Sequence, residues 1–371
     1  MIVGGVIMNN VKKRIEYIDI AKAIALFFVV LGHLVENNSK TFNWIFSFHM
    51  PLFFILTGMC LNIEKYNNIF IYIKRKAKEL VLPFCIFSII GFVVSCFVYS
   101  WKRKITIKRF IINCLYQTQP EVFHVGQLWF LIALFVACIF FYIIERYVVK
   151  DRTKLFSLFT YFIISIIGFN ILALLKNPSI ISLPYDFERL PFKLDSAITI
   201  VVFLKMGNII KRNNIIENIA KLSNIKLVIL LIILLGTNIL LGTVLNGYVN
   251  ICSCVFGSYI NYYVSSITGS IFIILIAYKI GHNKILCYYG RNTLPMFALH
   301  SLFIAIVAYI TSLIFNKNYV PLQNISILMC IVLSFIIYIL LFLVAVIYNF
   351  ITKYIRQYKI VKIDIDKDVK V

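Results

Sequence analysis

Apolar runs about twenty residues long, separated by short polar stretches, follow one another from residue 18 to residue 350. A helix needs about 20 mostly apolar residues to cross the hydrocarbon core of a bilayer. Ten stretches meet that length, at roughly 18–36, 42–62, 80–100, 127–148, 155–175, 195–210, 225–242, 262–280, 293–315 and 325–350. The sixth is the weakest, because Asp195 and Lys205 flank a short apolar core. The pattern predicts an all-α, polytopic membrane protein with about ten transmembrane helices. It divides the chain into an N-terminal cytoplasmic segment (1–17), a ten-helix membrane domain (18–350) and a basic cytoplasmic tail (351–371). No stretch between the spans is large enough to act as a soluble domain.

Composition strengthens this reading. Hydrophobic residues make up 61% of the 371 and charged residues only 14%, against about 25% charged in a soluble domain. The net charge of +22 would suggest nucleic acid in a soluble protein. In a membrane protein it reflects Lys and Arg gathered in cytoplasmic loops, and no nucleic-acid partner is expected. Most of the 37 Lys and Arg fall in alternate segments that share a side with the N-terminus, and 243–261 holds none. Both termini are therefore expected in the cytoplasm. One loop dissents: Lys102, Arg103, Lys104, Lys108 and Arg109 fall on the outer side. Either they sit on an amphipathic re-entrant helix or the third span is misplaced. No cleavable signal peptide is expected, since Lys12, Lys13 and Arg14 follow the short apolar start instead of preceding it. Met8 is an alternative start. Several of the nine cysteines lie inside apolar runs as small buried hydrophobes. Cys252 and Cys254 lack the second pair or nearby His of a zinc pattern, so no metal is expected.

Polar groups inside lipid are costly, and each needs a reason. On the first helix Lys22 and His33 are eleven residues apart, which is three turns and about 20°, so they share a face. Asp19 and Glu36 fall near it too. From Lys22 to His33 is about 16 Å of helix. The plain alternative is an i,i+3 salt bridge between Asp19 and Lys22, with His33 marking the helix end. On the second helix Pro51 leaves the Ser47 carbonyl without its helical donor, so the helix kinks or starts beside His49. His49 then lies at a depth similar to His33, and two imidazoles at one depth form a plausible acid–base pair.

These residues stand in a wider pattern. The spacing of Lys22 and His33 resembles the Arg/Lys-x10-His motif of the integral-membrane acyltransferase family 3. Phe48-His49-Met50-Pro51-Leu52-Phe53-Phe54, with Thr57-Gly58 after it, is similar to that family's second-helix signature. Gly126-Gln127-Leu128-Trp129-Phe130-Leu131 resembles its fourth-helix motif, with Gln127 where many members have His. Gly290-Arg291-Asn292-Thr293-Leu294-Pro295 through Leu299-His300 resembles the start of its ninth helix. The resemblance covers about 12–350, and among its branches it is nearest the fucose 4-O-acetylases.

The resemblance implies a ten-helix enzyme of a bacterial cell membrane that takes an acyl group, usually acetyl, from cytoplasmic acetyl-CoA. The group passes to a hydroxyl of a cell-surface glycan or its lipid-linked precursor. His33 is then the general base or acyl relay, Glu36 orients or charges its ring, and His49 is the alternative base. Lys22 and Asp19, with Arg75 and Lys78 in place of the family's Arg-x-x-Arg, would hold the acyl-CoA. Lysine keeps the charge there but loses the bidentate fork. Ordinary positive-inside anchoring accounts for the same cluster equally well. Trp129 packs the core or stacks a sugar, and His300, on the cytoplasmic side of its helix, lines the donor path or caps a contact. Transfer of succinyl, a transporter-like role and a membrane scaffold are the competing readings.

The orientation predicts that Cys252 and Cys254, in the outer 243–261 loop, react with an impermeant thiol reagent on intact cells. Labelling only after lysis under reducing conditions would reverse the topology or break the helix count.

Overall fold

A computed structural model describes residues 14–99, 107–116, 126–175, 190–314 and 325–368. Among these residues every regular element is a helix, and the only pairing outside helices is a lone bridge between Asn250 and Val255. In chain order the helices are α1 (Glu16–Gly32), α2 (Lys40–Cys60), α3 (Ile69–Lys76), α4 (Leu82–Tyr99), α5 (Ile107–Tyr116), α6 (Trp129–Ile143) and α7 (Lys154–Leu175). They continue as α8 (Leu194–Arg212), α9 (Ile215–Ile219), α10 (Asn224–Ile239), α11 (Tyr259–Ile280), α12 (Lys284–Arg291), α13 (Thr293–Ile314) and α14 (Ile327–Asp368). Wide π-turns at Ala77–Val81, Ile144–Val148 and Leu240–Leu245 extend α3 into α4 and lengthen α6 and α10.

Eight helices among the described residues are long and apolar enough to span a bilayer: Lys40–Cys60, Ile69–Val94, Trp129–Val148, Lys154–Ile171, Asn224–Leu245, Tyr259–Ile280, Thr293–Thr311 and Ile327–Tyr354. The chain is a multi-pass membrane protein. The two expected spans that fall short are the first and the sixth. α1 has only 17 residues, and α8 carries Asp195, Lys205, Lys211 and Arg212. Both are interior helices: Ile20 to Ala25 on α1 and Ala197 to Leu204 on α8 include many fully buried positions. A helix walled off from lipid by other helices has no need of an apolar surface all round. The same logic runs through the spans, where α2 is the most buried and the least apolar while α10 is the least buried and more apolar than all but α14.

α2 is the axis of the bundle and packs on α1, α8 and α11. Its contact with α8 is backbone on backbone. A Cβ added at Gly58 would lie 2.1 Å from the Leu204 carbonyl oxygen, and one at Gly207 would lie 2.0 Å from that of Ile55. Small residues permit this approach, which gives helices in lipid their dispersion contact in place of a hydrophobic driving force. Thr57-Gly58 of the second-helix motif is therefore explained by packing. α2 runs unbroken through Pro51, because the Ser47 carbonyl that the proline leaves free accepts the Ser266 hydroxyl of α11 at 2.7 Å. The amide of Asn238 on α10 adds to this seam, donating to Ser47 Oγ at 3.0 Å and to the Ser265 carbonyl at 2.8 Å. Its oxygen accepts the Trp44 indole N–H at 2.7 Å.

α8 has its own internal polar row. Lys205 pairs with Glu145 at 2.8 Å, with both side chains largely buried, and lies over the Tyr161 ring. Ser165 of α7 joins the Thr199 carbonyl of α8 to the Tyr263 hydroxyl of α11. The dissenting basic loop contains a short helix, α5, with Ile107, Ile111 and Leu115 exposed and Phe110 against Phe92 at 4.7 Å. An amphipathic helix is thus present there; Lys102, Arg103 and Lys104 lie outside the described residues. Of the two loop cysteines only Cys252 is partly exposed. Cys254 is buried against Ser196. Surface labelling should accordingly be confined to Cys252.

Gly207→Ala is expected to force α2 and α8 apart, at an overpacking cost of about 1–3 kcal/mol. Its thermal unfolding midpoint in detergent should fall by several degrees. Gly236, which has no atom within 4 Å of an added Cβ, supplies the control. Gly236→Ala should unfold at or slightly above the wild-type temperature.

Candidate active site

α1 ends at Gly32, and His33 is its cap residue, with its backbone N–H shared among the last carbonyls of the helix. Glu36 therefore stands off the helix, in the exposed turn that leads to the Ser39 cap of α2. The expected continuation of α1 to residue 36 fails because glycine and the Glu36-Asn37-Asn38 run favour a turn, with Asn38 left-handed at φ 62°. No hydrogen bond or ion pair joins Glu36 to His33.

The partner of His33 comes from elsewhere in the chain. Its ring lies against that of His300 on α13, with centroids 5.1 Å apart and planes 32° from each other. His300 is thus at the His33 end of the bundle, contrary to the cytoplasmic placement expected from its position after Pro295. Phe46 ties in the third imidazole, edge-on to His49 at 4.7 Å and to His33 at 6.3 Å. His33, His49 and His300 form one cluster at the meeting of α1, α2 and α13.

The three histidines differ in a way that matters chemically. His49 Nδ1 lies 2.8 Å from the Ile45 carbonyl and His300 Nδ1 lies 2.6 Å from that of Phe297. A carbonyl only accepts, so each Nδ1 carries the proton and each Nε2 holds the lone pair of the neutral ring. His300 is fully buried, and its Nε2 has no hydrogen-bond partner among the described residues. A buried polar atom left unpaired costs about 1–3 kcal/mol; the Tyr72, Tyr262 and Ser270 hydroxyls are in the same position among the described residues, and what distinguishes His300 is its contact with the His33 ring. His33 is exposed and makes no side-chain hydrogen bond, so it is the member of the cluster that faces open space. Gln127, at the head of α6, donates to the Ala298 carbonyl at 2.9 Å and pins the turn of α13 just before His300. Trp129 is buried, edge-on to Phe130, and is a packing residue.

The opposite end of the bundle, where α1 begins, is rich in ion pairs. Lys211 meets Glu217 at 2.7 Å, Arg212 meets Glu64 at 2.6 Å, and His282 meets Glu16 at 2.8 Å. Burial works against ionisation of Glu217, but hydrogen bonds led by that from Lys211 prevail and hold its carboxyl below the usual range. Asp19 is buried and pairs with Arg291 at 3.4 Å, not with Lys22. Gly290 makes this possible: a Cβ there would lie 1.9 Å from the Asp19 carbonyl oxygen, so α12 rests on the backbone of α1. Lys22, half-buried within α1, has no ion pair or side-chain hydrogen bond among the described residues. Arg75 and Lys76 both engage Glu79, at 2.9 and 2.8 Å, whereas Lys78, on the π-turn, is exposed and has no ion pair among the described residues. Lys22 and the three histidines thus sit on one core, while Arg75 and Lys78 lie at its rim.

Spacing along α1 pointed to His33 but could not reveal its neighbour. The signal for His300 was present as a second buried histidine in a motif, yet its depth depends on where α13 begins, three residues after Gly290.

Three imidazoles, two of them buried, and a half-buried cation thus lie along α1, α2 and α13 of a multi-pass bundle. The chain belongs to the acyltransferase 3 family, whose model, described as an acyltransferase domain, matches residues 15–353. A comparison with curated proteins finds no match. The protein is a membrane acyltransferase, and its histidine cluster lies within the matched domain.

His300→Phe replaces the ring and removes the unpaired Nε2. The variant is expected to insert and purify like wild type, with Phe filling the space against Phe297. Acyl transfer should fall by about 10²-fold or more, the scale of a lost acid–base group. Transfer within a factor of three of wild type would make His300 a packing residue.

Proposed function

We propose that the protein moves an acetyl group from cytoplasmic acetyl-CoA to a hydroxyl of a cell-surface glycan or its lipid-linked precursor. The observation that carries this reading is His33, an exposed imidazole without a hydrogen bond, backed by His300 and on the same helix as the unpaired Lys22. The abundance of Lys and Arg where α1 begins supports a cytoplasmic location for that end, with both termini inside a bacterial cell membrane. Arg75 and Lys78 then add to a positive field that draws in the anionic donor, and Lys22 is the cation nearest the histidines on the donor's way in. Asp19 contributes by holding Arg291.

The proposed reaction is a direct transfer. The acceptor O–H gives its proton to His33 as its oxygen attacks the thioester carbonyl. The C–S bond breaks, and the thiolate of coenzyme A takes the proton back from His33. His300 supports the imidazolium that forms in between, through its unshared Nε2. Glu36, in the exposed turn after His33, is the group proposed to orient or charge its ring, and His49, behind Phe46, is the alternative base. The partly exposed Tyr248 stacks on Phe42 at 5.6 Å, and Phe42 stacks on Phe46 at 3.7 Å. This column of rings above His33 favours a sugar acceptor, since sugar C–H faces pack well on aromatic rings. The motif resemblance to fucose 4-O-acetylases points to the same class.

His33→Ala tests the reading. It should insert normally, bind acetyl-CoA with wild-type affinity, and lose about 10²–10⁴ in transfer rate. Glycans from cells carrying it should lack one acetyl unit per repeat by mass spectrometry. Near-normal acetylation would overturn the catalytic role of His33, and transfer of a heavier acyl unit such as succinyl would replace the donor.

A further inference from the structure

A cavity of about 730 Å³ lies between the start of α1, α12 and the far half of α14. Arg14, Arg291 and Lys353 line it, with Tyr288, Asn292 and Asn349 among the remaining walls. None of its lining residues is acidic, and the nearest carboxylate engaged with them is Asp19, which touches Arg291 at 3.4 Å from behind. Three cations around one hollow repel each other unless an anion joins them. Arg14 precedes α1, Arg291 is on α12 and Lys353 is on α14, so positive-inside anchoring of a single span does not account for their convergence.

The place of the cavity gives the anion its identity. Arg14 leads directly into α1, which carries Lys22 and ends at His33. Asn292 leads into α13, which carries His300. Two walls of the cavity are thus the starts of the two helices that carry the paired imidazoles, His33 at the far end of α1 and His300 two turns into α13. From Asp19, level with the cavity, to His33 is fourteen residues of α1, or about 21 Å of rise. An extended pantetheine arm covers that order of distance. Arg75, by contrast, is exposed and already bound to Glu79.

We infer that this cavity seats the phosphate groups of the acyl donor's nucleotide, with Arg14, Arg291 and Lys353 as their counter-charges, so that the thioester arm lies along α1 and α13 toward His33. The inference rests on the donor being acyl-CoA, as proposed above. An anionic lipid headgroup offers the same phosphate chemistry, and the experiment separates the two sources.

Arg14 and Lys353 are exposed, and neither pairs with another side chain among the described residues, so Arg14→Ala/Lys353→Ala leaves the packing intact. Arg291 is left alone because it holds Asp19. The full-length wild type and the double variant are placed in phosphatidylcholine nanodiscs, and acetyl-CoA affinity is measured at low and high salt. The double variant should bind at least about tenfold more weakly, as expected for lost charge-assisted contacts. It should also respond less to salt. Dephospho-CoA, which lacks the 3′-phosphate, should bind wild type more weakly than CoA does. Equal acetyl-CoA affinity of the two proteins overturns the inference while leaving the proposed function standing. So does equal affinity combined with loss of phosphatidylglycerol retained by wild type in native mass spectrometry, which would make the cavity a lipid site. Failure of the wild type itself to bind acetyl-CoA overturns the proposed donor, and the inference with it.

Discussion

A proline in the middle of a lipid-embedded helix leaves one carbonyl that water cannot reach, and the bundle is arranged around that carbonyl. Pro51 frees Ser47, and α11 answers with Ser266. Ser265 and Asn238 extend the answer to α10, and Trp44 closes it back on α2. Each of these bonds is worth little on its own, since interhelical hydrogen bonds in membranes average about 0.6 kcal/mol. Leaving the carbonyl unmet in hydrocarbon costs several times more. The seam therefore fixes the rotation of α2 between α10 and α11. One turn from Ser47 to Pro51 includes His49, and one turn before it lies Phe46. Fixing α2 fixes both, and with them the wall against which His33 sits.

The other side of α2 is fixed by the absence of side chains. Gly58 and Gly207 bring α2 and α8 to backbone contact, which leaves no room for lipid or water between them. That contact makes α8 an interior helix, and an interior helix tolerates Lys205 and Asp195. The buried Lys205–Glu145 pair follows from this position. Desolvation offsets most of the attraction in such a pair, so it is weak evidence of stabilisation. Losing one partner, however, would strand a charge, and the pair thereby locks α8 to the end of α6.

The spans were legible in the chain because lipid demands about twenty apolar residues wherever a helix meets it. The exceptions are instructive. α8 looked like a weak span since hydropathy measures contact with lipid, and α8 has little. α1 looked longer than it is because the apolar pattern runs on through Leu34 and Val35, both buried, after the helix has already turned. That difference took Glu36 off the face it shares with Lys22 and His33 in a continuous helix. The site was legible one helix at a time. Spacing within α1 found Lys22 and His33, and Pro51 drew attention to His49. Pairings between helices distant in sequence were not legible: Asp19 with Arg291 and His33 with His300 depend on helix packing that periodicity does not encode.

Charge pairing then separates structure from chemistry. Nearly every buried or half-buried ion in the bundle has its counter-charge: Asp19 has Arg291, Lys205 has Glu145, and Glu217 has Lys211. An ionisable group in a membrane interior is expensive, and these pairs show that the fold does neutralise such groups where neutralisation is all that is required. Lys22 lies one turn from Asp19 on the same helix, close enough for an i,i+3 pair, yet Asp19 turns to Arg291 instead. His300 Nε2 is equally within a fold that satisfies Asn238 with three partners, and it has none. These two omissions lie on α1 and α13, the helices that meet at His33. Other buried polar atoms also lack a partner among the described residues, the Tyr72, Tyr262 and Ser270 hydroxyls included; what sets Lys22 and His300 apart is their place, on the two helices whose imidazoles meet at His33 and His300, with the cation about 16 Å along α1 from that pair.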